Sequence, residues 1–274
     1  MIYITLREGD AQHRFLKWEI KMRRDGVIAI GLCLSVGVLS AQEQTKTRVE
    51  HPREATEWIV SYAYNANDTK LPRVLLVGDS ICNAYSGDVC KELAGTAYVT
   101  FFATSKCVCD KSYLRALAFF LDEGDYAVVH FNNGLHSLSS DRQDWETCLR
   151  AAIKLIKSKG KGAKIIWASS TPLKDPALTA KAKELNAIAA RVMTEEGIPT
   201  DDLFSLMNPL DRETNWSDTF HFKGEAKKMQ AKAVGDCVRQ ALGVGKATAA
   251  EAAAALKAAT TATGPNGKLD ATKR

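Results

Sequence analysis

Residues 73–87 read RVLLVGDSICNAYSG, an apolar run from Val74 to Val77 that stops on Gly78-Asp79-Ser80. Four consecutive large apolar residues, with valines at both ends, suit a strand buried on both faces. Gly78 and Asp79 signal a turn, and a helical pattern follows. Ser80 therefore stands at a helix N-terminus, where the partial positive charge of the backbone favours developing negative charge. A serine there either closes a turn or acts as a nucleophile. Its partners elsewhere in the chain decide which.

Further strand-like runs occupy 97–102 (AYVTFF), 126–131 (YAVVHF), 164–168 (KIIWA) and 198–204 (IPTDDLF), with helical patterns between them. In 141–159, Trp145, Leu149, Ala152 and Ile156 share one face, and in 177–195 Leu178, Leu185, Ile188 and Val192 do the same. Asp141 is the expected N-cap, and Gly160 and Gly197 the expected stops. Upstream, 52–66 reads as an amphipathic helix with Trp58, Ile59 and Tyr62 inward. This alternation predicts an α/β fold, a three-layer α/β/α flavodoxin-like sandwich with a five-stranded, mainly parallel sheet. Such sheets place ligand sites at the carboxyl ends of their strands. Ser80 and the loops 103–112, 132–140 and 169–176 then share one rim.

The chain has 274 residues, 46% hydrophobic and 25% charged, enough for one sizeable domain. Two of its five net positive charges come from residues 1–41. No basic stripe with interleaved aromatics occurs, which argues against nucleic-acid binding. From Met22, MRRDGVIAIGLCLSVGVLSAQEQ has the order of a secretory signal: two arginines, an apolar stretch from Val27 to Leu39, then small Ser40 and Ala41. The alternative, an uncleaved anchor, is disfavoured because the apolar stretch is short for a membrane span. Residues 1–41 thus read as an upstream segment and signal peptide cleaved near Ala41, with Met1 or Met22 as the start. Residues 42–242 read as the functional domain, and 243–274 as an Ala-rich tail or frayed helix. A secreted or periplasmic protein with no stable membrane association follows.

Export leaves six cysteines: Cys82, Cys90, Cys107, Cys109, Cys148 and Cys237. An oxidising compartment permits disulfides, with the pairing open. Cys107-Val-Cys109 lacks metal-ligand spacing, so no metal is expected. Cys33 lies inside the signal without the small residues of a lipoprotein box.

A serine becomes a useful nucleophile when a base takes its proton, usually a histidine oriented by a carboxylate. Past the signal the histidines are His51, His130, His136 and His221. His221 lies in NWSDTFHFKGEA (215–226), three residues after Asp218. An Asp-x-x-His pair in a turn lets the carboxylate reach the same imidazole; helix capping by Asp218 beside a surface histidine is the plainer alternative.

The arrangement resembles the SGNH (GDSL-type) hydrolase family across about 73–241: VGDSI near the domain start, a rim block after the third strand, and SDTFH near the end. The resemblance implies a serine esterase that needs no cofactor, with Ser80 as nucleophile, His221 as general base and Asp218 as its orienting partner. It also implies that the Ser80 N–H is one oxyanion donor. Two blocks depart from the family pattern. FFATSKCVCDKSY (101–113) lacks the usual glycine, so the N–H of Ser105 or Lys106 stands in for it. HFNNGLHSL (130–138) replaces Gly-x-Asn-Asp and is similar to a secreted bacterial subgroup carrying Asn-x-Gly-Leu-His. Asn132 is the first choice for the side-chain oxyanion donor and Asn133 the second; turn formation beside Gly134 is the structural alternative. His136 either touches substrate or satisfies a loop carbonyl. Asp79 and the 169–176 loop shape the site. The expected substrate is an O-acylated carbohydrate. Lipid esters are an alternative, as is a non-catalytic carbohydrate-binding role on the same fold.

Overall fold

A computed structural model describes residues 54–245 of the chain. The segment assigned to the signal, His51 and all but the first residues of the Ala-rich tail lie outside the described residues.

The apolar run 73–78 forms strand β2 (Arg73–Gly78), with Val74, Leu75 and Leu76 wholly inaccessible to solvent. Val74 and Leu76 face one hydrophobic layer and Leu75 and Val77 the other. Each buried side chain of this size contributes about 1.5–3 kcal/mol relative to exposure. β2 is consequently central. β3 (Tyr98–Thr104) and β4 (Tyr126–Phe131) pair with it in parallel on either side, and β5 (Lys164–Ala168) and β6 (Thr200–Asp201) extend the sheet beyond β4. β1 (Ile59–Ala63) completes the order β1-β3-β2-β4-β5-β6, antiparallel to β3.

Helices cover both faces. α1 (Ser80–Glu92) and α7 (Gly224–Leu242) pack together through Val89, Leu93, Val234 and Val238. α2 (Tyr113–Asp122), α3 (Arg142–Lys159) and α4 (Pro176–Glu196) cover the opposite face through Leu117, Leu149, Ile153 and Leu185. Asp141 caps α3 by accepting the Gln143 and Asp144 N–H groups, and Gly197 ends α4 at φ 66°, a left-handed position suited to glycine. Two short helices, α5 (Leu203–Met207) and α6 (Arg212–Asn215), precede α7.

Two expectations are corrected. Instead of an inward-facing helix over 52–66, Ile59–Ala63 is a strand with Ile59 and Tyr62 exposed. Its residues Ile-Val-Ser-Tyr suit a pleated surface, and the open side of β3 supplies a complete ladder, Ile59↔Thr104 to Ala63↔Thr100. The run 198–204 yields only Thr200–Asp201 as strand, because Asp202 accepts the Ser205 N–H and starts α5.

The chain leaves β2 for β3 on one side and later returns to β4 on the other. That reversal is the switch point at which open α/β sheets hold ligands. The carboxyl ends of β2 and β4 deliver Ser80 and Asn132 there.

Candidate active site

Ser80 opens α1 directly after β2. Asp79 caps the helix, its Oδ1 accepting the Ile81 N–H at 2.9 Å. Gly78 is obligatory here: a Cβ at this position would meet the Cys82 Cβ at 2.5 Å, so the strand-to-helix turn presses too closely for a side chain. Ser80 is partly exposed at the head of a thirteen-residue helix whose first N–H groups have no partner carbonyls within the helix.

Across the rim, the turn 215–223 folds on itself. Trp216 and Phe222 form an isolated antiparallel bridge with ring centroids 4.3 Å apart, and both are buried. The Ser217 N–H donates to the His221 carbonyl at 2.8 Å, and the Arg212 guanidinium lies 4.3 Å above the Trp216 ring. The Lys174 N–H reaches the Thr219 carbonyl at 2.9 Å, tying the loop after β5 to this turn. Within it the Asp218 carboxylate contacts His221 Nδ1 at 2.8 Å through Oδ2 and 3.0 Å through Oδ1. Oδ1 also accepts the N–H groups of Phe220 (2.8 Å) and His221 (2.9 Å). Partial burial pushes the Asp218 carboxyl upward, but these backbone donors and the imidazole outweigh it and hold the group at about 2. The result is an ionised carboxylate fixed against one ring nitrogen, Nδ1. Trp216, Phe222 and Ile81 belong to one hydrophobic layer, so this turn and the start of α1 share a foundation. No hydrogen bond joins the Ser80 hydroxyl to the His221 imidazole in this structure.

The two asparagines after β4 are tied differently. Asn132 Nδ2 donates to the Ala168 carbonyl at 2.7 Å and to Ser170 Oγ at 3.3 Å. Asn133 Oδ1 accepts the Val108 N–H (2.8 Å) and the Ser137 hydroxyl (3.1 Å), while its Nδ2 donates to the Lys106 carbonyl at 2.9 Å. Asn133 thus binds the loop after β3 to the loop after β4. Asn132 instead lines a small cavity together with Thr171 and the two residues that flank Ser80, Asp79 and Ile81. Asp79 Oδ2 and Thr171 Oγ1 are buried without protein partners on this cavity. Gly134 brings the two loops together: a Cβ there would stand 1.6 Å from Ser170 Oγ.

The substitute donors expected after β3 are both engaged. The Ser105 N–H donates to the Trp58 carbonyl at 3.2 Å, and Ser105 Oγ accepts the Trp58 N–H at 2.9 Å. The Lys106 N–H turns back to Thr104 Oγ1 at 3.1 Å. His136 does not stand open on the rim: Nδ1 contacts the Glu54 carboxylate, and Trp58 packs edge-on at 6.1 Å. The segment leading into β1 thereby covers this side, and Lys106 Nζ pairs with Glu57 at 2.5 Å. Sequence reasoning missed Trp58 as a contact of the rim, and it placed the 169–176 loop there without singling out the Ser170 contact with Asn132. The only available signal for Ser170 was its place directly after β5; Trp58 gave none, because its role follows from β1 pairing. Among the described residues no cluster of three or more His, Cys, Asp or Glu side chains is arranged to hold a metal ion.

No protein-family model matches the chain. No curated protein matches it either. Solved structures do. A GDSL-like lipase from Bacteroides thetaiotaomicron is 15% identical at a TM-score of 0.51, over 62% of this chain and 88% of its own. An acetylxylan esterase from Geobacillus stearothermophilus is 12% identical at 0.52, over 65% and 97%. A lipase/acylhydrolase from Enterococcus faecalis is 16% identical at 0.50, over 65% and 100%. The fold is the SGNH-hydrolase fold. In this SGNH-type sheet, Ser80, Asn132 and the Asp218–His221 turn all lie at the carboxyl ends of the strands or in the loops facing them.

Proposed function

We propose that the protein is a secreted serine esterase that removes acetyl or other short acyl groups from carbohydrate through an acyl-enzyme. The observation that carries this reading is the 2.8 Å Asp218–His221 contact on the rim where β2 delivers Ser80. His221 takes the Ser80 proton as the hydroxyl attacks the ester carbonyl, then returns it to the departing alcohol. The Asp218 carboxylate fixes the imidazole tautomer and balances the charge it gains. The Ser80 N–H and Asn132 Nδ2 receive the oxyanion. The weaker of the two Asn132 contacts, 3.3 Å to Ser170 Oγ, is the one the oxyanion displaces. Asn133 acts as a tie between loops. The missing Ser80–His221 bond closes when substrate binds, as catalytic hydrogen bonds tighten in the Michaelis complex.

Two features support carbohydrate as the carrier of the acyl group: the signal-like segment 22–41 and the likeness to an acetylxylan esterase. The experiment is labelling with a fluorophosphonate probe, together with an ester panel from acetyl to long acyl on sugar and lipid scaffolds. Labelling that disappears in Ser80→Ala, with turnover greatest on acetylated sugars, is expected. Turnover confined to long acyl chains overturns the substrate and keeps the mechanism. The engaged Ser105 and Lys106 donors favour a second reading, a carbohydrate-binding protein without turnover. Glycan binding unaffected by Ser80→Ala, with no esterase activity, would establish it.

A further inference from the structure

Away from the proposed catalytic groups, three cysteines meet between the loop after β3 and helix α3. The Cys109 N–H donates to Cys107 Sγ at 3.3 Å. The Cys109 thiol donates to the Asp144 carbonyl at 3.7 Å, and Cys107, Cys109 and Cys148 are buried in one hydrophobic layer. Asp144 lies one helical turn before Cys148, and residues four apart stack on one helix face. The Cys109 sulfur therefore sits against the face of α3 that carries Cys148. All three are reduced thiols in this structure.

We propose that Cys109 and Cys148 are an oxidisable pair whose disulfide staples the loop after β3 to α3. This inference stands independently of the esterase reading. Three observations select this pairing. Cys107 is wholly buried, whereas Cys109 and Cys148 keep 8% and 6% exposure and lie nearer the surface. Cys107 Sγ already accepts the Cys109 N–H and the Ser137 hydroxyl at 3.2 Å, and also contacts the Ser140 hydroxyl. A Cys107–Cys109 bridge would close a three-residue ring, in which disulfide geometry is strained. Cys109–Cys148 instead joins two elements that pack against each other in one hydrophobic layer.

The oxidant is a small-molecule disulfide such as oxidised glutathione. The thiolate of one cysteine attacks it and releases one glutathione thiol. The second cysteine then attacks the resulting mixed disulfide and releases the other. Two protein thiols lose two electrons and two protons, and one disulfide is reduced to two thiols. Neighbouring thiols and burial raise the Cys109 thiol far above its ordinary range, so the exchange is slow at neutral pH and quickens in alkali. The bridge matters to the rim because the same loop holds Asn133 through the Val108 N–H and the Lys106 carbonyl.

The test equilibrates the full chain with excess oxidised glutathione at pH 8.5, blocks residual thiols with N-ethylmaleimide and maps the peptides by mass spectrometry. A cross-linked peptide pair joining Cys109 to Cys148 is expected, with a midpoint of thermal unfolding raised by roughly 5–15 °C over the reduced protein. Cys148→Ser and Cys148→Ala should both lack the cross-link and the rise, while Cys107→Ser keeps them. Separate alkylation of Cys109 and Cys148, stable glutathione adducts on either, or a bridge from Cys107 overturns the proposal. The wild-type map alone decides if a variant fails to fold.

Discussion

The two halves of the candidate site are built in opposite ways. The turn 215–223 holds its carboxylate and imidazole through contacts three residues apart, braced by its own Trp216–Phe222 bridge. The oxyanion side assembles from distant segments: Asn132 on Ala168 and Ser170, Asn133 on Lys106 and Val108, and Ser105 on Trp58. A local pair survives as a sequence motif, since few other residues decide it. A rim joined across the fold depends on how every loop returns. The comparison teaches that the Asp218–His221 pair is made within one turn, which the core then anchors through Trp216 and Phe222, whereas the Asn132 side is made only between segments far apart in the chain.

The largest effect should come from Ser80→Ala, which the esterase reading expects to cut kcat/KM by about 10⁴-fold or more while leaving the unfolding midpoint nearly unchanged. Retained turnover would remove Ser80 from the reaction. Asp218→Asn should cost about 10³–10⁴-fold in kcat, because an amide presents the wrong partner to Nδ1. Its acid stability also tests the local half. The carboxyl is held at about 2, against 3.8 in the unfolded chain, so its stabilisation is complete above pH 3.8 and is lost as pH falls towards 2. Thermal melts across this window should show wild type losing stability that Asp218→Asn never had; parallel curves would contradict the assigned contact.

On the distributed half, Asn132→Ala is expected to lower kcat by about 10²–10³-fold, with Asn133→Ala acting mainly on stability. A reversed ranking in steady-state kinetics would exchange their roles. Gly134→Ala should destabilise by about 1–3 kcal/mol through its clash with Ser170. Adding Ser170→Ala should recover part of that loss in denaturant unfolding, a coupling expected only where two loops touch. The smallest effect is expected of Arg212→Ala, which removes a cation–π contact of about 0.5–1 kcal/mol above Trp216. Its signature is a severalfold fall in kcat with little change in KM.

Much of the frame was legible in the sequence. The runs 73–78, 126–131 and 164–168 are strands with those bounds, since buried parallel strands show as unbroken apolar stretches. Asp141 and Gly197 mark helix ends because capping is local chemistry. β1 was not legible: Trp58, Ile59 and Tyr62 have helical spacing, and only the open edge of β3 turns them into a strand. Trp58, just ahead of that strand, then engages the Ser105 N–H, so the missed element and the occupied donor share one cause. The sequence ranks Asn132 ahead of Asn133, but it does not show which carbonyls the folded chain offers them, Ala168 for the Asn132 amide and Lys106 for that of Asn133.

Helix α7 begins beside His221 and, at about 1.5 Å per residue, carries the chain nearly 30 Å to the far side of the sheet. There the Ala241 carbonyl accepts Lys164 Nζ at the start of β5, and Arg239 reaches the Glu92 carbonyl at the end of α1. Glu54, by contrast, lies against His136 in the loop after β4. An affinity handle or surface tether attached past Gly243 would therefore sit at the end of the sheet opposite the strand ends that carry Ser80 and Asn132, whereas cargo fused at Glu54 would start from the loop after β4, on their side.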